Sequence, residues 1–128
     1  MKQILIIRGG GRPKGNTAQL VAAFKRGAEE AGHQVEVVSL IKKEVKGCLG
    51  CNACRYGKPC IQKDDFNELA PKIKAADLVV FASPLYFWTL SSRIKALIER
   101  FYCIAEKDTD PPLGRYERYP VKDSALLV

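Results

Sequence analysis

Apolar residues form four short runs, and the segments between those runs have helical spacing. The first run lies in residues 2–8, where four apolar side chains follow one another before a glycine-rich segment. Residues 34–40 and 78–82 form the second and third runs, and residues 125–128 form the fourth. Short, nearly continuous runs of this kind are typical of strands that are buried on both faces of a parallel sheet.

Three intervening segments carry apolar residues three and four positions apart, and each predicts an amphipathic helix. The first of these helices follows the glycine-rich segment and ends at Gly32. The second begins at the pair Asp64-Asp65 and contains Pro71, which is expected to kink the helix or to split it into two pieces. The third is predicted over residues 91–102.

Alternation of strands and helices predicts an α/β fold, in which right-handed crossovers build one open parallel sheet with helices on both faces. We expect a flavodoxin-like three-layer sandwich that forms a single domain over residues 1–128, with about four strands in the order 2-1-3-4. The fourth run is only four residues long, so the final strand or strands of such a fold are expected to be missing. Ligands bind at the carboxyl ends of such sheets, where the turns after strands one and three share a rim.

The turn after the first strand has the composition of a phosphate-binding loop. Glycines allow close backbone approach, a helix start offers free N–H groups, and arginine suits a phosphate monoester. Lys14 stands where the dinucleotide-binding motif needs glycine, and Asn16 stands where the NTPase phosphate loop needs lysine, so a small phosphate ligand is favoured over a dinucleotide or a nucleoside triphosphate. The alternative is that the glycines only close an ordinary strand-to-helix corner. Asn16 or Thr17 is expected to cap the helix. The candidate phosphate ligands are Gly10, Arg12, Gly15, Asn16 and Thr17.

The turn after the third strand crowds three aromatic residues into six positions. A flat ring ligand could lie against them, and the alternative is that they pack in the core or in a dimer interface. The candidate ring-binding residues are Pro84, Leu85, Tyr86, Phe87 and Trp88.

The net charge and the cysteine count bear on the class of ligand and on the cellular compartment. The chain has 128 residues, 21 Lys and Arg against 14 Asp and Glu, and a net charge of +7, which suits a phosphate-bearing ligand without requiring one. It has five cysteines, an odd number that fits a reducing compartment better than a disulfide framework. Because no apolar stretch is long enough for a membrane span and no signal peptide is evident, a cytoplasmic protein without membrane attachment is expected.

Four of the cysteines lie close together in the sequence. Cys48, Cys51, Cys54 and Cys60 have a compact spacing that recurs among ligands of four-iron clusters, whereas structural zinc sites usually separate their ligand pairs more widely. Cys103 is expected to be a packing residue. His33, the single histidine, lies between the first helix and the second strand, where a solvent-exposed turn residue is expected, and no constellation for hydrolytic catalysis is evident.

The two rim segments together resemble the NADPH-dependent FMN reductase family. Residues 9–17 resemble its FMN-phosphate loop, and residues 83–88 with 94–100 resemble its second FMN-contacting loop and the helix that follows. The resemblance implies phosphate contacts from the glycine-rich segment and ribityl and isoalloxazine contacts from residues 84–88. It also implies an enzyme that passes hydride from NAD(P)H through FMN to a small acceptor such as a quinone, flavin, nitro compound or metal.

Other functions remain open at this point. The cysteine motif resembles that of iron-sulfur flavoproteins, a branch of the same family, which implies an electron-transfer module with a 4Fe-4S cluster. A truncated, non-catalytic protein that dimerises to cover its edge strand is another hypothesis. Homo-oligomerisation is implied by the family. Nucleic-acid binding by the basic residues 93–119 is disfavoured, because no recognised binding module accompanies them.

Overall fold

The structure, a computed structural model, describes residues 1–54, 58–104 and 121–128. Its four strands are β1 (Gln3–Arg8), β2 (Gln34–Ser39), β3 (Leu78–Ala82) and β4 (Ser124–Leu127). Its helices are α1 (Asn16–Glu30), α2 (Phe66–Ala75) and α3 (Ser92–Glu99), and α3 runs directly into a 3₁₀ helix (Arg100–Ile104). In the described parts of the chain, no helix is long and apolar enough to cross a membrane.

The strands form one parallel sheet in the order β2-β1-β3-β4, which confirms the predicted topology. Ile6 of β1 lies opposite Val37 of β2 on one side and Val80 of β3 on the other. β4 pairs with β3 from Val79 to Ala82. This register brings the carboxyl ends of β1 and β3 together at one edge of the sheet.

The sheet separates two apolar clusters, which gives the expected three layers. Side chains alternate between the faces of a strand, so Leu5 and Ile7 point to one face and Ile4 and Ile6 to the other. The first face packs against α2 and α3 through residues such as Leu69, Ile73, Ile94 and Leu97. The opposite face packs against α1 through Val21, with Phe24 and Ala28 half-buried beside it.

Pro71 does not split the second helix. α2 is continuous from Phe66 to Ala75 with Pro71 inside it, so the prediction of two pieces is wrong. Proline removes one backbone hydrogen bond and crowds the preceding turn. Leu69 and Ile73 are almost completely buried on either side of Pro71, so both turns of the helix pack in the core.

The third helix is shorter than predicted. α3 ends at Glu99, and residues 100–104 continue as a 3₁₀ helix in place of the α-helix expected to residue 102. The tighter winding brings Arg100 and Ile104 into the core. The irregular segment expected over residues 108–120 lies outside the described residues.

Candidate functional site

Two loops leave the carboxyl edge of the sheet side by side. The Gly9 N–H donates to the carbonyl of Ala82 at 2.8 Å, which ties the ends of β1 and β3 together. A Cβ atom at Gly9 would lie 2.4 Å from both Ile94 Cγ1 and Ser91 Oγ. Only glycine fits this close approach, so the glycine-rich loop lies directly against the start of α3.

The start of α1 faces the rim with its backbone N–H groups uncapped. Gly15 is the N-cap residue, no side chain accepts a hydrogen bond there, and the first turn contains no acidic residue. The expectation that Asn16 or Thr17 caps the helix is therefore wrong, because Asn16 is already its first residue. Free N–H groups and the positive end of the helix dipole form an anion-binding site.

Most of the predicted cofactor residues line one pocket between the two loops. From the first loop the pocket takes Gly10, Gly11, Arg12, Gly15, Asn16 and Thr17, and from the second it takes Pro84 and Tyr86. Leu85, Phe87 and Trp88 do not line it. The structure thus brings together seven of the ten predicted residues and displays the other three outward.

Residues 86–89 form a tight hairpin with unusual backbone geometry. Tyr86 and Thr89 exchange two backbone hydrogen bonds of 2.9 and 3.1 Å. The two residues between them, Phe87 and Trp88, have φ angles of 48° and 71°, the left-handed region that normally favours glycine or asparagine. Phe87 is 95% exposed and Trp88 is 87% exposed, so packing of these two rings in the core is excluded.

Two serines that the sequence did not single out fix the ends of the aromatic loop. The Ser83 hydroxyl donates to the carbonyl of Pro84 and accepts from the backbone N–H of Ser91, both at 2.8 Å. Ser91 in turn caps α3 by accepting from the Ile94 N–H at 3.4 Å. Both serines are buried, so the loop is anchored at its base while its aromatic tip stands in solvent.

All five cysteines line a second cavity beside the end of α3. Cys48 and Cys51 are exposed, Cys60 and Cys103 are half-buried, and Cys54 is buried. The Gly50 N–H points at the Cys48 sulfur at 3.4 Å, and Gly50 and Asn52 have φ angles of 67° and 59°. Two left-handed positions therefore turn the backbone between Cys48 and Cys54.

The arrangement of the cysteines bears on the kind of metal centre that this cavity could hold. Among the described residues, no group of three His, Cys, Asp or Glu side chains comes together closely enough to hold a metal ion. A single zinc ion needs its ligands gathered around one point. A four-iron cluster instead takes one thiolate at each of four iron atoms, and four cysteine thiols around one cavity are the donor set that it requires.

A buried arginine lies at the back of this cavity. The Arg100 side chain is 1% exposed and forms an ion pair of 2.6 Å with Asp64, which is 2% exposed. Its guanidinium also donates to the carbonyl of Lys46 at 2.9 Å and to the Cys60 sulfur at 3.4 Å, and it lies 4.8 Å from the centre of the Phe66 ring. The sequence did not indicate a role for Arg100. It is the last residue of the segment 94–100 that resembles a helix of the FMN reductase family.

The ionisation of this pair is set by competing effects. Burial raises the pKa of Asp64, but hydrogen bonds from Arg100 and from the backbone N–H groups of Lys46 and Phe66 outweigh burial and leave the pKa below its usual value. Burial lowers the pKa of Arg100, and the Asp64 carboxylate reverses that effect and raises it. Both groups are therefore charged.

Further contacts fasten the cysteine loop to the end of α3. The Cys48 N–H donates to Glu99 Oε1 at 3.1 Å, and the Tyr102 hydroxyl donates to the Asn52 side-chain carbonyl at 3.1 Å. Because α3 begins at the aromatic loop and ends at the cysteine loop, one helix of eight residues joins the two predicted sites. At 1.5 Å per residue it is about 12 Å long.

Cys103 lies inside the same cavity without matching the compact motif. Its thiol donates to the carbonyl of Arg100 at 3.1 Å. Burial, followed by the neighbouring Cys60 and Cys54, raises the pKa of Cys103 to about 11. A protonated, half-buried thiol agrees with its predicted role as a packing residue.

The parallel sheet and the ligand pocket at its rim define a class of fold, the flavodoxin-like proteins. The sequence pattern of the NADPH-dependent FMN reductases matches residues 2–115. The chain belongs to this family. The description of this family names FMN and NADPH.

Curated relatives extend the comparison. An iron-sulfur flavoprotein of Methanocaldococcus jannaschii is 38% identical over 98 residues, which are 77% of this chain and 51% of the relative. One from Methanosarcina thermophila is 31% identical over 102 residues, 80% of this chain and 53% of the relative. The chain spans about half the length of the curated relatives it matches.

Solved structures share the fold at lower identity. The NAD(P)H:quinone oxidoreductase of Methanothermobacter marburgensis has a TM-score of 0.75 at 19% identity, with 98% of this chain and 62% of that chain covered. An FMN-dependent NADH-azoreductase of Bacillus anthracis, solved with FMN, has a TM-score of 0.57 at 16% identity, with 78% and 55% covered. These likenesses confirm the flavodoxin-like architecture.

Proposed function

We propose that the chain binds FMN across the two rim loops and passes electrons from NAD(P)H through the flavin to a small acceptor. The observation that carries this proposal is the shared pocket, in which an uncapped helix start and Arg12 face Pro84 and Tyr86. One end of the pocket is suited to a phosphate and the other to a ring.

The phosphate end would be held by the first turn of α1. Its backbone N–H groups and the Arg12 guanidinium can donate to phosphate oxygens, and no carboxylate in the first turn opposes them. Gly10 brings the backbone close, since a Cβ atom there would lie 3.2 Å from Pro84 Cδ. The predicted contribution of Thr17 is a hydroxyl that lines the same pocket.

The ring end would be formed by the aromatic loop. Tyr86 lines the pocket, and Phe87 and Trp88 extend from the same hairpin into solvent. When bound, FMN supplies the hydride chemistry, and the protein contributes binding, orientation and exclusion of water. Exposed aromatic rings at a rim can cover a flat ligand without prior displacement of core residues.

Comparison of FMN with riboflavin tests the phosphate end directly. Fluorescence titration is expected to show tighter binding of FMN, because riboflavin lacks the phosphate. Arg12→Gln should weaken FMN binding by about 1.5–3 kcal/mol, the value of a charged hydrogen bond, and leave riboflavin binding unchanged. Arg26→Gln is the matched control, since Arg26 is an exposed arginine of α1 that does not line the pocket. Equal affinity for both flavins would refute this phosphate site.

A 4Fe-4S cluster at Cys48, Cys51, Cys54 and Cys60 is the second part of the proposal. The cavity that these cysteines share supports it, together with the iron-sulfur flavoproteins among the relatives. The cluster would supply one-electron chemistry when bound. Anaerobic purification followed by iron and sulfide analysis is expected to give about four of each per chain, and their absence would refute this part.

The acceptor and the assembly complete the proposal. A small molecule such as a quinone, flavin, nitro compound or metal is the proposed acceptor, and a homo-oligomer is the proposed assembly. NADPH oxidation with a panel of acceptors tests the proposed acceptor. Light scattering tests the proposed homo-oligomer, and a monomer would refute it.

A further inference from the structure

Arg100 differs from the other arginines near the site in its burial and in what it touches. The two terminal nitrogens of its guanidinium divide their partners: Nη1 takes Asp64 and the Lys46 carbonyl, and Nη2 takes the Cys60 sulfur. The third nitrogen, Nε, is buried without a hydrogen-bond partner among the described residues. A buried N–H without an acceptor is costly, and Arg8 Nε, which lies outside the cysteine cavity, is the other such nitrogen among the described residues.

We infer that Arg100 is a positioning residue that holds Cys60 toward the cavity and raises the reduction potential of the cluster bound there. This inference rests on the proposed cluster site. It concerns a residue outside the cysteine motif, which acts through a ligand and not as a ligand itself.

The direction of the effect follows from the arrangement of charge. Arg100 and Asp64 are a pair of opposite charges, and the guanidinium is the member that hydrogen-bonds Cys60. The positive end of the pair therefore faces the sulfur. Reduction adds one electron to the cluster, makes it more negative by one charge, and breaks no bond to Cys60. Positive charge and hydrogen bonds at a ligand sulfur stabilise the more negative state, so the potential rises.

Burial makes this effect larger than that of a surface arginine. Arg100 is enclosed by Phe66 on one side and by the cysteine loop on the other. Solvent and salt screen a buried charge much less than an exposed one. A higher potential would let the cluster accept electrons from the flavin more readily.

The test uses the full chain, reconstituted anaerobically with iron and sulfide, in a redox titration followed by electron paramagnetic resonance. The double variant Arg100→Gln with Asp64→Asn keeps the net charge and leaves no unpaired buried ion. Its cluster is expected to have a lower potential, with at least a tenfold change in the reduction equilibrium, which is about 59 mV for one electron. Arg100→Lys keeps the positive charge but lacks the forked guanidinium, and its potential should lie between those of the wild-type protein and the double variant.

Arg93→Gln is the matched control. Arg93 is an exposed arginine at the start of the same helix, and its replacement should leave the potential unchanged. Thermal melts of the cluster-free variants show whether each has folded. Arg100→Lys supplies the comparison if the double variant does not fold.

Failure of this inference can be told apart from failure of the proposed function. A wild-type chain that takes up no iron or sulfide would refute the cluster site, and this inference with it. A wild-type chain that takes up the cluster, with the same potential in the Arg100 variants, would refute only the inference. Folded variants that lose the cluster would also overturn it, because Arg100 would then be required for assembly and not for the potential.

Discussion

Replacement of Phe87 or Trp88 by glycine should stabilise the protein. Both residues hold left-handed backbone angles, with φ of 48° and 71°. That conformation costs a residue with a side chain about 1–2 kcal/mol. Glycine removes this cost, although its greater freedom in the unfolded chain returns about 0.4–1 kcal/mol. The net expected gain is about 0.5–1 kcal/mol at each position.

Little packing is lost in these substitutions, because both rings are almost fully exposed. Urea unfolding of the flavin-free protein should therefore show a higher midpoint with an unchanged slope. The matched control is Leu85→Gly. Leu85 is an exposed apolar residue of the same loop, and its φ is not in the left-handed region. It offers no strain to relieve, so glycine there should destabilise the protein by about 0.5–1 kcal/mol.

The same substitutions should weaken FMN binding if the aromatic loop covers the ring. Stacking of a flat ring on an aromatic side chain contributes about 1–3 kcal/mol, so Trp88→Gly should raise the Kd for FMN by about tenfold. Stability and binding would then change in opposite directions. A loss of stability in Phe87→Gly and Trp88→Gly equal to that in Leu85→Gly would refute the strain argument.

Four other substitutions test the packing, a buried charge and the cysteine site. Gly9→Ala should cost about 1–3 kcal/mol of stability because its Cβ would clash with side chains of α3, whereas Gly27→Ala, with open space around it, should gain about 0.5–1 kcal/mol in urea unfolding. The lowered pKa of Asp64 stabilises the fold above about pH 4, and this contribution is lost as the pH falls through the lowered value. Asp64→Asn should flatten that part of the acid-unfolding curve. An unchanged curve would contradict the role given to Asp64. Cys103→Ser should retain iron and sulfide, and their loss would make Cys103 a ligand.

The sheet could be predicted from the sequence because each strand is a continuous apolar run, and the alternation with helices fixes a parallel order. The pocket could be predicted in the same way, since Gly9 and Ser83 directly follow neighbouring strands. The geometry of the aromatic loop could not. Left-handed turns usually contain glycine, asparagine or aspartate, and Phe87 and Trp88 are none of these. The sequence therefore did not indicate a hairpin tip that holds both rings in solvent.

Arg100 illustrates a different limit of the sequence. On its own it is a charged residue near the end of a helix, and Asp64 is a typical residue before a helix start. Their pairing spans 36 positions and depends on the 3₁₀ turn that follows α3. A local pattern does not contain this information, because only the folded chain brings the two side chains together.

The proposed function requires that the pocket between the glycine-rich loop and the aromatic loop binds FMN in a form that NAD(P)H can reduce. The most direct measurement is the visible absorption spectrum of the anaerobic protein after FMN and then NADPH are added. Added FMN is expected to give flavin bands that differ from those of free FMN, and NADPH added next is expected to bleach them. Flavin bands identical to those of free FMN, unchanged by NADPH, would contradict the proposed function.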